Sequence, residues 1–538
     1  MPSMQAPAPS KRRTFFRFWL PWLIILLAAL GVGAAGFSPV TEEWAPVNRF
    51  MTCVFVVLLA ALLVALWFLL FASVRGSLRI TALLVIAALG FAFSRQITNV
   101  KFTGNMVPIV RFWWDPEPDD VLETQRKAHQ TKASPFKPAS DKATAFSEYR
   151  GSKRDGIIQG PPLARDWKAQ PPRQLWRQPV GGGYSGFTVN GNALVTLEQR
   201  RDQEVIVCYD TVTGAERWTH GYNARFKESM GGPGPRATPT IADGRVYSLG
   251  ATGMLICLDL PDGKSKWSVE ILKDNQNIIW GMSGSPLVLD KVVVVNPGAQ
   301  TEAASGRALV AYDRDTGKEV WQAGKTKAGY SSPMLATLAG QKQILLLDGE
   351  QLGGYDSQTG HELWNYRWDK TLNGINVAQP LLLDGDRVLI SSAYDIGCAM
   401  LHVSKSGDAW KVDELWKNNM KLRAKFASPV VHEGFIYGLD EGYLVCLDAN
   451  GARVWKGQNY GHGQLLLSGG LLVILSEQGK LVLARATPEF DAKTRNELAS
   501  MQALKGKTWN CFALADGIAY VRNDLEMAAY DLREAEKK

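Results

Sequence analysis

One eleven-residue pattern recurs through the C-terminal two-thirds of the chain, and it decides what the chain can fold into. Its clearest copy is Ala311-Tyr312-Asp313-Arg314-Asp315-Thr316-Gly317-Lys318-Glu319-Val320-Trp321. Cys208-Tyr209-Asp210 with Thr213, Gly214 and Trp218 repeats it, as does Gly354-Tyr355-Asp356 with Thr359, Gly360 and Trp364. Cys257-Leu258-Asp259 leads to Gly263 and Trp267, and Cys446-Leu447-Asp448 leads to Gly451 and Trp455, one residue shorter. Tryptophans at 176, 218, 267, 321, 364, 416 and 455 follow one another at 42, 49, 54, 43, 52 and 39 residues. Spacing in this range means an array of like units, each burying its apolar face on its neighbours.

The chemistry of the repeat is structural. Alternating apolar residues before the Asp (LVAYD, MLICLD, YLVCLD) read as a strand. Asp, Thr and Gly make a tight turn, with Gly at positive φ and Asp capping backbone N–H groups. The next strand carries the Trp, a docking residue whose ring packs between neighbouring units. Two positions before the Asp the residue is small (Ala311, Gly354, Cys208, Cys257, Cys446), which suits close approach of an indole or of backbone. Upstream lie ATPTIADGRVYSL, GSPLVLDKVVVV, AQPLLLDGDRVLI and ASPVVHEGFIYGL, each reading as two strands joined by a hairpin. A unit is therefore four strands, one blade of a β-propeller. Two further units fill 465–486 and 512–532, giving eight, and the last ends at Asp531 without a Trp strand. Gln174-Leu175-Trp176 supplies the missing strand and closes the ring, removing the open sheet edge. The expected fold is all-β, an eight-bladed propeller over 174–538.

Ahead of the propeller the chain is apolar. Residues 18–37 and 50–74 are runs without a charge, each long enough to cross about 30 Å of hydrocarbon as a helix. A third, 78–94, is shorter and spans with Arg79 and Arg95 snorkelling from its ends. The basic start of the first run fits a signal peptide, but the two later runs do not. Lys11, Arg12, Arg13 and Arg17 precede the first helix, Glu42 and Glu43 follow it, and Arg75 and Arg79 separate the second from the third. The positive-inside rule puts 1–17 and the 75–79 loop in the cytoplasm. Three crossings then leave the propeller on the periplasmic side of a bacterial inner membrane. Residues 96–173, and 115–173 above all, read as an extended linker, rich in Pro and charge and unable to bury enough surface to fold alone.

The net charge of +8 sits largely at the membrane flanks and in that linker, so it reads as solvated face and not as a nucleic-acid site. Cys208, Cys257 and Cys446 occupy equivalent positions in different blades, too far apart to pair. Histidines 129, 220, 361, 402, 432 and 462 show no metal spacing. Gly231-Gly232-Pro233-Gly234 is followed by a strand, which excludes a phosphate loop.

The copy at 311–321 resembles the tryptophan-docking repeat of the pyrroloquinoline-quinone (PQQ) proteins, and the likeness covers about 360 residues. That resemblance implies one of two classes. In quinoprotein dehydrogenases PQQ and Ca²⁺ sit on the propeller axis. In the PQQ-like, BamB-like group the propeller is a scaffold. Some membrane-bound quinoproteins share helices before a propeller. This chain, however, has no adjacent Cys-Cys pair, no C-x-x-C-H haem site and no long inserts to cover an active site. The expectation is therefore a membrane-anchored scaffold for envelope proteins, not an enzyme and without a cofactor. An alcohol- or sugar-oxidising quinoprotein with PQQ and Ca²⁺ is the alternative, and a ligand-reading sensor a further one. Any ligand would meet the axial funnel, where the loops entering the innermost strands hold Arg236, Trp280, Tyr330, Asn376, Lys425, His462 and Trp509. Cations beside aromatic rings suit an anionic or planar ligand.

Overall fold

The computed structural model describes residues 18–535 except 39, 40, 42, 43, 129–131, 140–144, 229, 274 and 370. Lys11, Arg12, Arg13, Arg17, Glu42, Glu43 and His129 lie outside the described residues. The chain divides at Asp115 into two compact units.

The first unit holds helices α1 (Leu20–Phe37), α2 (Pro46–Phe71) and α3 (Gly76–Ser94), all long and apolar enough to cross a membrane. Pro21 and Pro46 start the first two, where a missing N–H costs nothing. Arg79 donates from Nη1 to the Leu69 carbonyl at 2.6 Å and from Nε to the Val74 carbonyl at 2.7 Å, capping the end of α2. A two-stranded hairpin, Ile97–Phe102 with Pro108–Phe112, follows α3.

The second unit contains eight four-stranded antiparallel sheets. We number the blades by the chain order of their first strands: 188–223, 240–270, 287–323, 334–367, 381–418, 430–459, 464–502 and 513–531. At four of the seams first strand meets first strand of the neighbouring blade, which places these strands around the axis. Blade 8 takes its outer strand from Arg173–Pro179, paired with Glu526–Asp531, as the lone Trp176 segment requires.

Each small residue two before the Asp stands opposite a docking tryptophan: Cys208 by Trp218, Cys257 by Trp267, Ala311 by Trp321 and Cys446 by Trp455. The indole lies on the turn glycine of the next blade. Gly263 has φ +70, and a Cβ there would sit 2.5 Å from a ring carbon of Trp218; Gly317 stands likewise to Trp267, Gly360 to Trp321, Gly214 to Trp176 and Gly451 to Trp416. The turn is held by its Asp, as where Asp313 Oδ1 accepts from Thr316 N and Thr316 Oγ1, both at 2.8 Å. Four of these indoles also donate to a turn carbonyl of the next blade: Trp176 to Thr211, Trp218 to Leu260, Trp267 to Arg314 and Trp416 to Ala449. Trp321 Nε1 finds no acceptor among the described residues.

Three seams depart from this plan. At the one between blades 6 and 7, Trp455 meets no turn glycine among the described residues but donates to the Thr487 carbonyl at 3.0 Å and stacks on Phe490 at 5.8 Å. Blade 5 has no Thr-Gly turn, and its outer strands Gly397–Ser406 and Ala409–Asn418 are ten residues each. Trp364 therefore bonds Gln343 of its own blade at 2.6 Å. Val403, Trp410 and Val412 of the long hairpin join its apolar cluster. Blade 7 has Ala499 where a Trp would stand. Residues 158–167 join the cluster at that seam, with Ile158, Leu163 and Trp167 all buried.

That last contact corrects the linker expectation for 96–173. Besides the hairpin, Pro118–Ala128 is a helix whose Arg126 pairs with Glu216 of blade 1 at 3.0 Å. Residues 146–158 cross the axis. Arg154, 2% exposed, donates to the carbonyls of Ser285, Pro286 and Pro333 and to Thr240 Oγ1. Its Nε pairs with Glu148 at 2.7 Å. Arg150 reaches the Pro429 carbonyl at 3.2 Å, and Ile157 bridges Leu467. The segment cannot fold alone, but it buries itself against the ring. Its polar composition serves that burial, because the acceptors are inner-strand carbonyls.

Replacing Trp218 by Ala is expected to cost about 3–5 kcal/mol, as for a large buried aromatic. Trp218→Phe should cost about 1 kcal/mol more than Trp321→Phe, since only Trp218 loses an indole hydrogen bond. Equilibrium urea unfolding of the purified chain measures both, and equal costs for the two Phe variants would contradict the asymmetry.

Candidate functional site

Two sets of loops share one end of the ring: those entering the innermost strands, and the tips joining second to third strands. Just below them a belt of hydrogen bonds runs around the axis from blade 1 to blade 6. Gly186 N donates to Thr238 Oγ1, Thr238 N to Ser285 Oγ, Ser285 N to Ser332 Oγ, Ser332 N to Gln379 Oε1 and Gln379 N to Ser428 Oγ, at 2.9–3.1 Å. Each acceptor side chain immediately precedes a proline. The belt fixes the spacing of the loops above it.

Six of the seven funnel candidates come together there. Trp280 and Tyr330 rings are 5.6 Å apart, and Tyr330 OH accepts from Trp280 N at 3.4 Å. Arg236 and Glu228 both act electrostatically on Tyr330. Across the funnel, Phe426 packs on His462 at 5.9 Å and on Trp509 at 4.6 Å. Lys425 lies over the Tyr394 ring at 4.8 Å. The seventh, Asn376, is engaged by its own neighbours. It is fully buried, its Nδ2 donates to the Asp348 carbonyl at 2.7 Å, and its Oδ1 accepts from Ser392 Oγ at 2.7 Å.

The electrostatics are those of matched pairs. Arg236 Nη2 reaches Glu228 Oε1 at 3.1 Å, and its guanidinium lies 4.5 Å from the Phe226 ring. Burial lowers its pKa, and Tyr184 and Glu228 oppose that shift. The glycine-rich loop wraps the same carboxylate. Glu228 accepts from the N–H groups of Met230, Gly231 and Gly232 at 2.6–3.2 Å, so these donors face a side chain of the protein itself. Burial lowers the pKa of Lys425 too, against the pull of Glu441 and Glu477. His462 is held well below its usual value, by burial first and then by Lys425; it is a neutral imidazole at pH 7. Burial pushes Tyr330 up to about 12.

Several lining groups escaped the sequence reading. Lys507 lies over Trp509 at 3.8 Å and Tyr184 at 5.3 Å. Trp509 Nε1 donates to Glu477 Oε1 at 2.8 Å, and Glu441 accepts from Tyr394 N at 3.2 Å. Glu441 and Glu477 sit on tips between second and third strands, in Asp440-Glu441-Gly442 and Ser476-Glu477-Gln478-Gly479. The repetition of those turns was the available signal. Among the described residues no group of three or more His, Cys, Asp or Glu is arranged to hold a metal ion. The loop end of the ring carries aromatic rings edged by paired charges, with Tyr330, Lys425, His462 and Lys507 all buried.

The sequence profile of a family described as the outer membrane protein assembly factor BamB matches residues 168–279 and 229–456, together more than half of the chain. The quinohemoprotein alcohol dehydrogenase ADH-IIG of Pseudomonas putida is 25% identical over 208 residues, 39% of this chain and 26% of that enzyme. The chain thus matches about a quarter of that relative's length. Among solved structures, a europium-containing methanol dehydrogenase superposes with a TM-score of 0.54 at 12% identity, over 72% of this chain and 98% of that one. BamB from Moraxella catarrhalis gives 0.46 at 13%, over 68% and 99%.

Beneath the site, Asp348 is buried and its pKa is raised to about 7 by that burial, although Thr326, Glu350 and Gln351 donate to it. A carboxyl raised on folding favours the folded state below its unfolded pKa, and that contribution is lost as pH rises through about 7. Asp348→Asn should therefore narrow the fall in melting temperature between pH 5 and pH 8. A thermal scan at the two pH values tests this, and an unchanged fall would show that Asp348 is not the titrating group.

Proposed function

The chain belongs to the family of the outer membrane protein assembly factor BamB, and on that footing we propose that it is a membrane-anchored binding scaffold of the cell envelope. Its three apolar helices hold it in the inner membrane, with the propeller on the periplasmic side, and segments of partner proteins engage the funnel. The orientation rests on Lys11, Arg12, Arg13 and Arg17 before the first span and on Arg75 and Arg79 between the second and third.

The observation that carries this reading is the charge pairing at the funnel floor. Arg236 is engaged by Glu228, and Lys425 faces Glu441 and Glu477. A polyanionic quinone needs cations to spare, and its metal needs clustered oxygen donors. The described residues present no such metal group, and the groups at the floor do not fit PQQ with Ca²⁺. No catalytic step is derived through them. In this reading the propeller works without a bound cofactor.

A second reading, a quinoprotein oxidising an alcohol, is favoured by the 208-residue likeness to the Pseudomonas putida enzyme. The two readings part in one assay. Dye reduction by the purified chain, supplied with PQQ and Ca²⁺, is measured over a panel of alcohols and aldoses. No turnover is expected. Turnover lost in Arg236→Ala, with the fold preserved by circular dichroism, would overturn the scaffold reading and establish the enzyme.

A further inference from the structure

The hairpin after α3 is out of place in water. It is an isolated two-stranded sheet, an arrangement only marginally stable in water without something to pack on. Yet its second half presents apolar side chains outward. Val107, Ile109 and Val110 are 37–40% exposed, and Trp113 and Trp114 are 65% and 56% exposed. It cannot swing far from the helix. Ile97 follows Ser94 by three residues, Trp113 N donates to the Gln96 carbonyl at 3.0 Å, and Phe93 at the end of α3 meets Phe112 edge-on at 5.9 Å. Trp114 stacks on Phe112 at 4.6 Å with only 7° between the planes. The aromatic cluster is thus stapled to the point where the apolar run stops.

We propose that residues 97–114 lie in the lipid headgroup layer beside α3, with Val110, Trp113 and Trp114 seated at its boundary with the hydrocarbon. The proposal rests on the reading of α3 as a membrane span. Indole rings favour that depth because their apolar body and N–H match its two sides. Arg95, Lys101 and Arg111, spaced along the same stretch, suit the phosphates of anionic lipids. A span of 19 residues is near the minimum for crossing, and an interfacial anchor directly after it fixes its depth.

The test uses the full chain carrying Cys53→Ser, reconstituted in vesicles of phosphatidylcholine and phosphatidylglycerol. Spin labels are placed at Val110→Cys and Trp113→Cys. Leu66→Cys in α2 and Asp202→Cys on the propeller, where Asp202 is 84% exposed, serve as references. Collision rates with oxygen and with a water-soluble nickel chelate are compared. The ratio of oxygen to nickel accessibility at 110 and 113 should lie several-fold above that at 202 and below that at 66. A ratio at 110 and 113 equal to that at 202, with Leu66 reading as lipid, would overturn the hairpin assignment and leave the spans standing. Shielding from both agents would mean that protein covers the hairpin, and overturns it too. A Leu66 label reading as water would sink the spans and the hairpin together.

Discussion

A tryptophan ring laid on a glycine turn is the contact on which the propeller depends. Blades are covalently joined only in series, so the ring holds its shape through the faces that neighbours share. At five of the eight seams the docking indole fills a gap that a Cβ on the turn glycine would close: at Gly317 that carbon would lie 2.7 Å from the Trp267 ring. The turn's positive φ, its Asp and Thr, the small residue opposite the Trp and the Trp itself are therefore one device. Change any of them and the others lose their purpose. This explains why the period in the sequence is carried by residues with no common chemistry.

The seams without that device show how strong the requirement is. Between blades 4 and 5 the chain lengthens a hairpin, and Trp368 crosses the gap to bond Ser392 Oγ at 2.9 Å. Between blades 7 and 8, residues upstream of the ring are brought back as filler, with Ala164 N bonding the Leu532 carbonyl at 2.8 Å. The same upstream segment inserts Arg150 and Arg154 across the axis. One stretch of chain thus mends a weak seam and closes the axis against the inner strands. The funnel residues stand on the loop side of the ring.

Much of this was written in the sequence at short range. The Asp-Thr-Gly-Trp spacing gave the blades, and a Trp strand without its blade at 174–176 gave the closure. The loops that carry the funnel residues followed from their places in the repeat. What stayed hidden is long-range. Arg154 meets Pro333 across 179 residues, and nothing local marks a charged, proline-rich stretch as buried. Asn376 sat at the right repeat position, but its side chain is spent on Asp348 and Ser392, which only the packing shows. The prolines before the inner strands were legible as a repeat, whereas the hydroxyl and amide belt that they flank joins different blades and becomes visible only when the ring is closed.

If the docking contacts make the ring a single cooperative body, loosening one seam should be felt in all blades. Hydrogen–deuterium exchange of Trp176→Ala against the unaltered chain measures this directly, because Trp176 docks the closing strand of blade 8 on Gly214 of blade 1. The expected result is a comparable loss of protection in the second and third strands of all eight blades. Loss confined to 173–223 and 513–531, with blades 3 to 6 unchanged, would mean that each blade stands on its own core and that the docking tryptophans are local packing only.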